Sequence, residues 1–122
     1  MKLGFGMDTG QYGEKAAARF LRTKGFKISS RNYRTRLGEI DIIAENGAYI
    51  VFAEVKTRGT HSIAEAKEWV DFRKQQKIIK AALAYLSENV TSLQPRFDVI
   101  EVNLDEKMKI VSIQHIENAF TP

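Results

Sequence analysis

The feature that most constrains the fold is a pair of segments rich in β-branched and aromatic residues, 38–44 and 49–56, with Asn46-Gly47 between them. This composition around an Asn-Gly dipeptide predicts a β-hairpin. Side chains alternate between the two faces of a strand, and cross-strand partners share a face. With a two-residue turn, one face of the hairpin contains only residues suited to a core: Ile40, Ile42, Ala44, Tyr49, Val51, Ala53 and Val55.

The opposite face of the hairpin carries charge at its open end. The same two-residue turn places Glu39 opposite Glu54 and Asp41 diagonal to Glu54, with Lys56 on the same face. Diagonal Cα atoms are about 7–8 Å apart, which leaves room for one cation between converging carboxylates. A loop of even length preserves this arrangement, whereas an odd loop or a bulge turns one strand over. The alternative is an ordinary ion pair of Glu54 with Lys56 on a solvated strand edge, because this two-residue spacing is common.

Composition limits the class of protein. The chain has 122 residues, of which 43% are hydrophobic and 28% charged, as is typical of one globular domain. No apolar run reaches the about 18 residues of a membrane span. Residues 1–7 lack a signal-peptide core and are predicted to be flexible. The absence of cysteine excludes a disulfide framework and fits a cytoplasmic protein. The net charge of +4 is compatible with a polyanionic partner, but many basic proteins bind none.

Capping and periodicity predict the remaining elements. These are a helix from Asp8 or Thr9 to about Lys24, a strand over 25–32, the hairpin, a short helix over 62–69, a longer helix from Asp71 to about Asn89, and strands over 96–102 and 109–114. The apolar stripe of the longer helix is predicted at Phe72, Gln75, Ile78, Ile79, Ala82, Leu83 and Leu86, with a basic outer face at Arg73, Lys74, Lys77 and Lys80. The predicted fold class is α/β: a single domain over residues 1–122, with a central mixed five-stranded sheet flanked by helices.

Several polar residues outside the hairpin have both a structural and a functional interpretation. Glu14 lies at the border of the first helix's buried face, where a glutamate is usually solvated. The stretch 31–36 holds three arginines and a tyrosine, which suit phosphate and base contacts but equally a solvated loop. The simplest interpretation of His61 is a surface position, and that of Asp98 is a structural role. Nothing marks His115 as functional. Trp69 is expected to pack against other side chains.

The charges of the hairpin suit a hard cation. Mg²⁺ takes oxygen ligands and commonly keeps waters and a substrate phosphate, so the carboxylates of Asp41 and Glu54 fit it. Zinc would prefer histidine or cysteine, which this set lacks. Lys56 does not ligate while protonated, but it can position or activate a water and neutralise charge on a phosphate.

These residues resemble a known pattern. Asp41 and Glu54-Val55-Lys56 look like the PD-(D/E)xK motif of the restriction-endonuclease-like fold. More closely, the chain resembles the YraN family of small predicted nucleases, relatives of archaeal Holliday-junction resolvases. The resemblance rests on five blocks that span most of the chain: 10–17, 31–34, 38–43, 52–58 and 96–99. One departure is Ala53, where the family more often has valine.

The resemblance implies an Mg²⁺-dependent endonuclease, with Mn²⁺ able to substitute. Asp41 and Glu54 would hold the metal with Glu14 as an outer ligand, and Lys56 would serve the water. Further implied roles are a ligand or rim charge for Glu39, an outer donor for Gln75, and phosphate binding for Arg31, Arg34, Arg36 and Arg58. The implied partners are branched or single-stranded DNA, a helicase or recombination factor and a second copy of the chain, with no membrane. A non-catalytic nucleic-acid-binding module on the same fold is the alternative.

Overall fold

The computed structural model describes residues 2, 3, 7–59 and 70–122. Its elements are β1 (Lys2–Leu3), β2 (Met7–Asp8), α1 (Thr9–Thr23), β3 (Lys27–Thr35), β4 (Gly38–Glu45), β5 (Tyr49–Arg58), α2 (Phe72–Glu88), β6 (Gln94–Leu104) and β7 (Ile110–Phe120). The predicted short helix over 62–69, and the predictions for His61 and Trp69, lie outside the described residues. Residues 1–7, predicted to be flexible, contain β1 and part of β2, which pair in antiparallel fashion. No described helix has the length and apolar character needed to cross a membrane.

The predicted fold class is confirmed, because β3 to β7 form a five-stranded mixed sheet in the order β3-β4-β5-β6-β7. Only β5 and β6 are parallel neighbours; the other pairs of this sheet are antiparallel. Helix α1 covers one face of the sheet, where Leu21 packs with Ile42 and Val51. Helix α2 covers the other face, where Ile78 packs with Phe52. Alternating residues of the buried strands therefore belong to two different cores.

Both helices begin where their capping residues predict. The Asp8 side chain accepts a hydrogen bond from the backbone N–H of Gln11 at 2.7 Å, and the Gln11 side chain accepts one from the N–H of Asp8 at 3.1 Å. This reciprocal pair satisfies N–H groups that the first turn leaves free. Helix α1 ends before Gly25, whose φ of 91° favours glycine. At α2, the Asp71 side chain accepts from the N–H of Lys74 at 2.9 Å.

The hairpin exists, but its predicted turn is wrong. Glu45 pairs with Ile50 rather than with Ala48, so the loop is two residues longer than the Asn-Gly dipeptide. The cause is the side chain of Asn46, whose Oδ1 accepts from the N–H groups of Ala48 and Tyr49 at 2.8 and 2.7 Å. This arrangement satisfies the loop backbone in place of a two-residue turn. Because the shift is even, the faces assigned to most of the hairpin residues are unchanged.

Ile40 is the exception to the predicted hairpin faces. It packs in the α2 core with Tyr33, whereas Ile42 packs in the α1 core. Arg31 pairs with Ile42 and Tyr33 with Ile40, so Asn32 and Asp41 lie opposite each other between these pairs. Asn32 has a left-handed backbone, with φ of 54°. The strands β3 and β4 therefore change face at Asn32 and Asp41.

The apolar stripe of α2 is rotated from its predicted position. Phe72 and Leu83 are 74% and 63% exposed, whereas Ala81 is fully buried beside Ile78 and Ala82. The last strand also runs further than predicted, to Phe120. Likewise β3 continues through Thr35 and forms an edge of the sheet, so the arginines of 31–34 lie on an edge strand rather than in a loop.

Candidate functional site

The change of face in β4 directs the Asp41 side chain toward β5. The ladder between these strands ends at the pair of Ile42 and Ala53. Beyond it, the Oδ2 of Asp41 accepts a hydrogen bond from the backbone N–H of Val55 at 2.8 Å. The carboxyl group thus takes the place of a backbone carbonyl in the ladder, which fixes its position beside Glu54. The predicted pairing of Glu39 with Glu54 is wrong, because the two-residue shift of register brings Asp41 to that position.

Asp41 and Glu54 form a carboxyl pair in which one proton is retained. Burial, the adjacent charge of Glu54 and the hydrogen bond that the Asp41 carboxyl donates to it together raise the pKa of Asp41 to about 8. The bond from the N–H of Val55 opposes this shift, and the more distant charge of Glu14 adds to it. When two carboxyl groups lie this close in a buried place, the pKa of one of them is raised. The convergence expected for these two side chains is thus present.

Two lysines contact the other carboxyl group of the pair. Glu54 is only 4% exposed, and its Oε2 lies 3.5 Å from the Nζ of Lys56 on the same strand. The Nζ of Lys74, which reaches across from α2, also contacts this oxygen. Burial lowers the pKa of Lys56, the neighbouring Lys74 lowers it further, and Glu54 only partly compensates. Burial also acts to lower the pKa of Lys74, but its hydrogen bond to Glu54, the charge of Glu54 and its interactions with Lys56 and Asp41 together outweigh this effect and raise it.

Lys74 does not lie where its sequence context predicts. The sequence predicts it on the basic outer face of α2, but it is partly buried and faces the sheet. The signal was present in its spacing, because Lys74, Ile78, Ala82 and Tyr85 recur at helical intervals along one side of α2. Its neighbour Gln75 donates from Nε2 to the carbonyl of Val70 at 2.9 Å, which holds the segment before α2 against the helix.

A close contact of α1 with β5 positions Glu14. A Cβ at Gly13 would lie 1.8 Å from the Oγ1 of Thr57, so only glycine allows this approach. The Oε1 of Glu14 is buried and has no hydrogen-bond partner among the described residues. Burial raises the pKa of Glu14, although a hydrogen bond from the side chain of Asn32 and the charge of Arg31 act to lower it. The Glu14 carboxyl lines a polar cleft of about 470 Å³ that also contains Asn32 and Glu39.

The remaining predicted residues lie in different surroundings. Glu39 is exposed and pairs with the Nε of Arg34 at 3.3 Å, so it is a charge at the rim of the cleft. Arg31 and Arg36 are exposed as well, on β3 and the turn that follows it. Arg58 differs from the exposed position expected of a phosphate-binding arginine. Its side chain is 8% exposed, and its guanidinium forms a buried ion pair with Glu101.

A second polar cluster lies near the C-terminal end of α1, whereas Glu14 lies near the N-terminal end of this helix. Asp98 is fully buried and accepts hydrogen bonds from Arg96 at 2.9 and 2.8 Å, from Nε2 of His115 at 2.7 Å and from the N–H of Asn118 at 2.9 Å. Burial alone would raise the pKa of Asp98, but the bonds from His115, Arg96 and Asn118 outweigh it and hold the pKa below its ordinary range. These bonds join β6 to β7, which agrees with the structural role expected for Asp98 and gives His115 a structural role as well.

The carboxyl pair fits a divalent cation with few protein ligands. Within residues 8–59 and 70–122, no three carboxylates or imidazoles are arranged as a ready ligand set. Mg²⁺ does not need such a set, because it often takes one or two carboxylates and completes its shell with water and substrate phosphate. The retained proton of Asp41 and the unpaired oxygen of Glu14 mark acceptors that a cation would satisfy.

The fold and this site define a small α/β protein in which two carboxyl groups and two lysines meet at the end of an interrupted strand ladder. The chain belongs to the uncharacterised protein family UPF0102, also called the YraN family, whose model matches residues 13–102. The resemblance to this family is therefore confirmed. The matched segment includes all four of these side chains and Glu14.

Relatives in several bacteria cover nearly the whole chain. A UPF0102 protein of Caldanaerobacter subterraneus is 50% identical over 113 residues, which span 91% of this chain and 93% of that protein. A UPF0102 protein of Thermodesulfovibrio yellowstonii is 46% identical over 114 residues, or 93% of this chain and 96% of its own. One from Clostridium acetobutylicum is 45% identical over 112 residues, or 91% and 92% of the two chains.

Proposed function

We propose that this protein is a metal-dependent endonuclease of the PD-(D/E)xK type that hydrolyses phosphodiester bonds in branched or single-stranded DNA. The observation that carries the proposal is the hydrogen-bonded pair of Asp41 and Glu54 beside Lys56. A buried carboxyl pair that retains a proton has a high affinity for positive charge, since a divalent cation relieves the repulsion between the two groups.

Asp41 and Glu54 would hold Mg²⁺ or Mn²⁺, and Glu14 would bind at its outer side. When bound, the ion polarises a phosphoryl oxygen and lowers the pKa of a water molecule. The hydrogen bond from the N–H of Val55 keeps the Asp41 carboxyl in one orientation during these events. Fixed ligands of this kind need no reorganisation when charge develops in the transition state.

Lys56 is suited to handle the proton of the attacking water. Burial and the neighbouring Lys74 lower its pKa, so its amine gives up a proton more readily than a surface lysine. A lysine with a lowered pKa is a better general base near neutral pH. Lys74 retains its charge through its contact with Glu54, and an ammonium group there stabilises negative charge on the phosphate that is attacked.

DNA is supported as the substrate by the charges around the site. Arg31, Arg34 and Arg36 are exposed on the edge strand β3 and the turn after it, and β3 pairs with β4, the strand that carries Asp41. Guanidinium groups match phosphate oxygens in geometry as well as charge.

A non-catalytic nucleic-acid-binding module is the second candidate. It is favoured by one observation, namely that two ammonium groups already contact Glu54 and compensate its charge without a metal. In that case the acidic residues and lysines form a structural ion cluster, and the basic edge binds DNA without cutting it.

Cleavage of defined DNA substrates separates these two functions. The purified protein is incubated with four-way junction, single-stranded and duplex DNA in Mg²⁺, Mn²⁺ or EDTA, and compared with the Asp41→Asn and Lys56→Met variants. Lys80→Ala, an exposed change on α2, is the matched control. We expect cleavage that requires the metal, is lost in both site variants and persists in the control. Salt-dependent binding with no cleavage by folded wild-type protein would select the binding module.

A further inference from the structure

A second cleft, of about 350 Å³, lies between the β3–β4 turn and helix α2. Four of the residues that line it are cationic, two from each wall: Arg34, Arg36, Lys74 and Lys77. Its lining includes one carboxylate among the described residues, that of Glu39, and Arg34 already pairs with it. The cleft therefore has a net positive charge that suits a polyanion. We call it the basic groove.

The walls of the basic groove are held together by a backbone contact. A Cβ at Gly38 would lie 2.5 Å from the backbone carbonyl oxygen of Lys77, so the start of β4 rests directly on α2. Such contacts between main chains leave little freedom for the two walls to separate. The groove is thus a preformed concave surface rather than a gap between independent loops.

The groove leads directly to the carboxyl pair. Lys74 lines it and at the same time contacts Glu54. At its other end, Arg34 and Glu39 line both this groove and the polar cleft that contains Glu14. A chain of phosphates in the basic groove would therefore pass beside the residues proposed to cut it.

One apolar side chain projects among these cations. Leu37 is at the turn between β3 and β4, and it is 52% exposed and lines the basic groove. Its immediate neighbour Arg36 and the nearby Arg34 are exposed too. An exposed apolar side chain beside cationic ones is suited to insert as a wedge between base steps while the cations hold the phosphates.

We propose that the basic groove binds the backbone of a DNA duplex and that Leu37 inserts at an unstacked base step, such as one at a branch point. The inference rests on the proposed function in taking DNA as the polyanion, and it adds the feature that the site recognises. Bases at a branch or a nick cost less to unstack than bases within a continuous duplex, so a wedge at this place selects distorted DNA.

Binding without metal tests the wedge independently of cleavage. DNA that carries a single 2-aminopurine at a four-way junction, or within a continuous duplex, is titrated with protein in EDTA, and 2-aminopurine fluorescence reports unstacking. We expect the wild type to raise the fluorescence of the junction more than that of the duplex. Leu37→Ser should abolish most of this rise while the fluorescence anisotropy still shows binding. Leu83→Ser, which changes a leucine of similar exposure on α2 outside the groove, should behave as the wild type.

The salt dependence of binding tests the groove itself. Lys77→Ala should reduce the slope of log affinity against log salt by about 1, since one phosphate contact is lost. Lys80→Ala removes the same charge from an exposed position on α2 that does not line the groove, and it should leave the slope unchanged.

The two proposals fail in distinguishable ways. If Leu37→Ser leaves the junction signal intact, or Lys77→Ala and Lys80→Ala have equal effects, the groove inference is overturned even when the wild type cleaves DNA. If both groove variants behave as expected but the wild type cuts nothing, the groove inference stands and the nuclease proposal falls. Absence of any DNA binding overturns both.

Discussion

The replacement of Asp41 by asparagine should stabilise the folded protein at neutral pH. The Asp41 carboxyl has an ordinary pKa of 3.8 in the unfolded chain and about 8 in the folded one. Between these values the folded state keeps a proton that the unfolded chain has released, so this group makes the free energy of unfolding fall as pH rises. The loss is about 1.4 kcal/mol per pH unit within the window and levels off above pH 8. At pH 7 it amounts to about 4 kcal/mol.

The Asp41→Asn side chain is always neutral and can still accept the hydrogen bond from the N–H of Val55. We therefore expect the variant and the wild type to be similar in stability near pH 4. The variant should become more stable as pH rises, by up to about 4 kcal/mol at pH 7, where natural domains have about 5–15 kcal/mol in total. Urea unfolding followed by circular dichroism, at pH values from 4 to 9 in EDTA, gives both free energies by linear extrapolation.

Asp98→Asn is a control of opposite sign. The pKa of Asp98 is held below its ordinary value of 3.8 by its bonds from His115, Arg96 and Asn118. The carboxylate therefore contributes stability that is present above pH 3.8 and is lost as pH falls through the folded pKa. Its replacement should destabilise the protein at pH 7, by about 3 kcal/mol or more, because the largely buried guanidinium of Arg96 loses its charged partner. The reasoning about Asp41 is refuted if its variant runs parallel to the wild type at every pH, or is less stable at pH 7.

Three further changes test other parts of the account. Gly13→Ala should lower the free energy of unfolding by about 1–3 kcal/mol, because the added Cβ forces α1 away from β5. Gly10→Ala is the control, since its Cβ would come no nearer than 3.4 Å to the side chain of Asp8, and it should change this free energy by less than about 1 kcal/mol. Urea unfolding measures both. Lys74→Met should strengthen Mn²⁺ binding about tenfold in calorimetry, since a competing ammonium is removed from the site, and weaker binding would contradict this. Arg58→Met should cost about 3–5 kcal/mol in the same unfolding assay by leaving the buried Glu101 unpaired, and a neutral effect would show that this pair is not structural.

Much of the fold was predictable because its signals are local. Asp8 and Asp71 cap the helices that their spacing indicates, and the alternation of 49–56 predicted which side of β5 bears Glu54 and Lys56. The two-residue error in the turn changed the cross-strand partner of Glu54 from Glu39 to Asp41, but an even shift of register by itself keeps residues on their predicted faces.

The features that sequence reasoning missed depend on contacts between distant segments. The face change at Asp41 requires the left-handed backbone of Asn32 in another strand, which periodicity within β4 does not reveal. The sequence predicts a solvent-exposed Lys74 because lysine side chains are usually exposed. Its partner Glu54, which is distant in sequence, makes partial burial favourable. Arg58 was expected to bind phosphate, but it is buried, and the partner that allows its burial, Glu101, lies 43 residues further along the chain.

The most direct test of the central claim is a crystal of the protein soaked in Mn²⁺ and measured at the manganese absorption edge. The account predicts an anomalous peak at about 2.0–2.2 Å from carboxylate oxygens of both Asp41 and Glu54, with the Lys74 ammonium displaced from Glu54. An empty site at millimolar Mn²⁺, with Lys74 still in contact with Glu54 and Asp41 still within hydrogen-bond distance of Glu54, would contradict it.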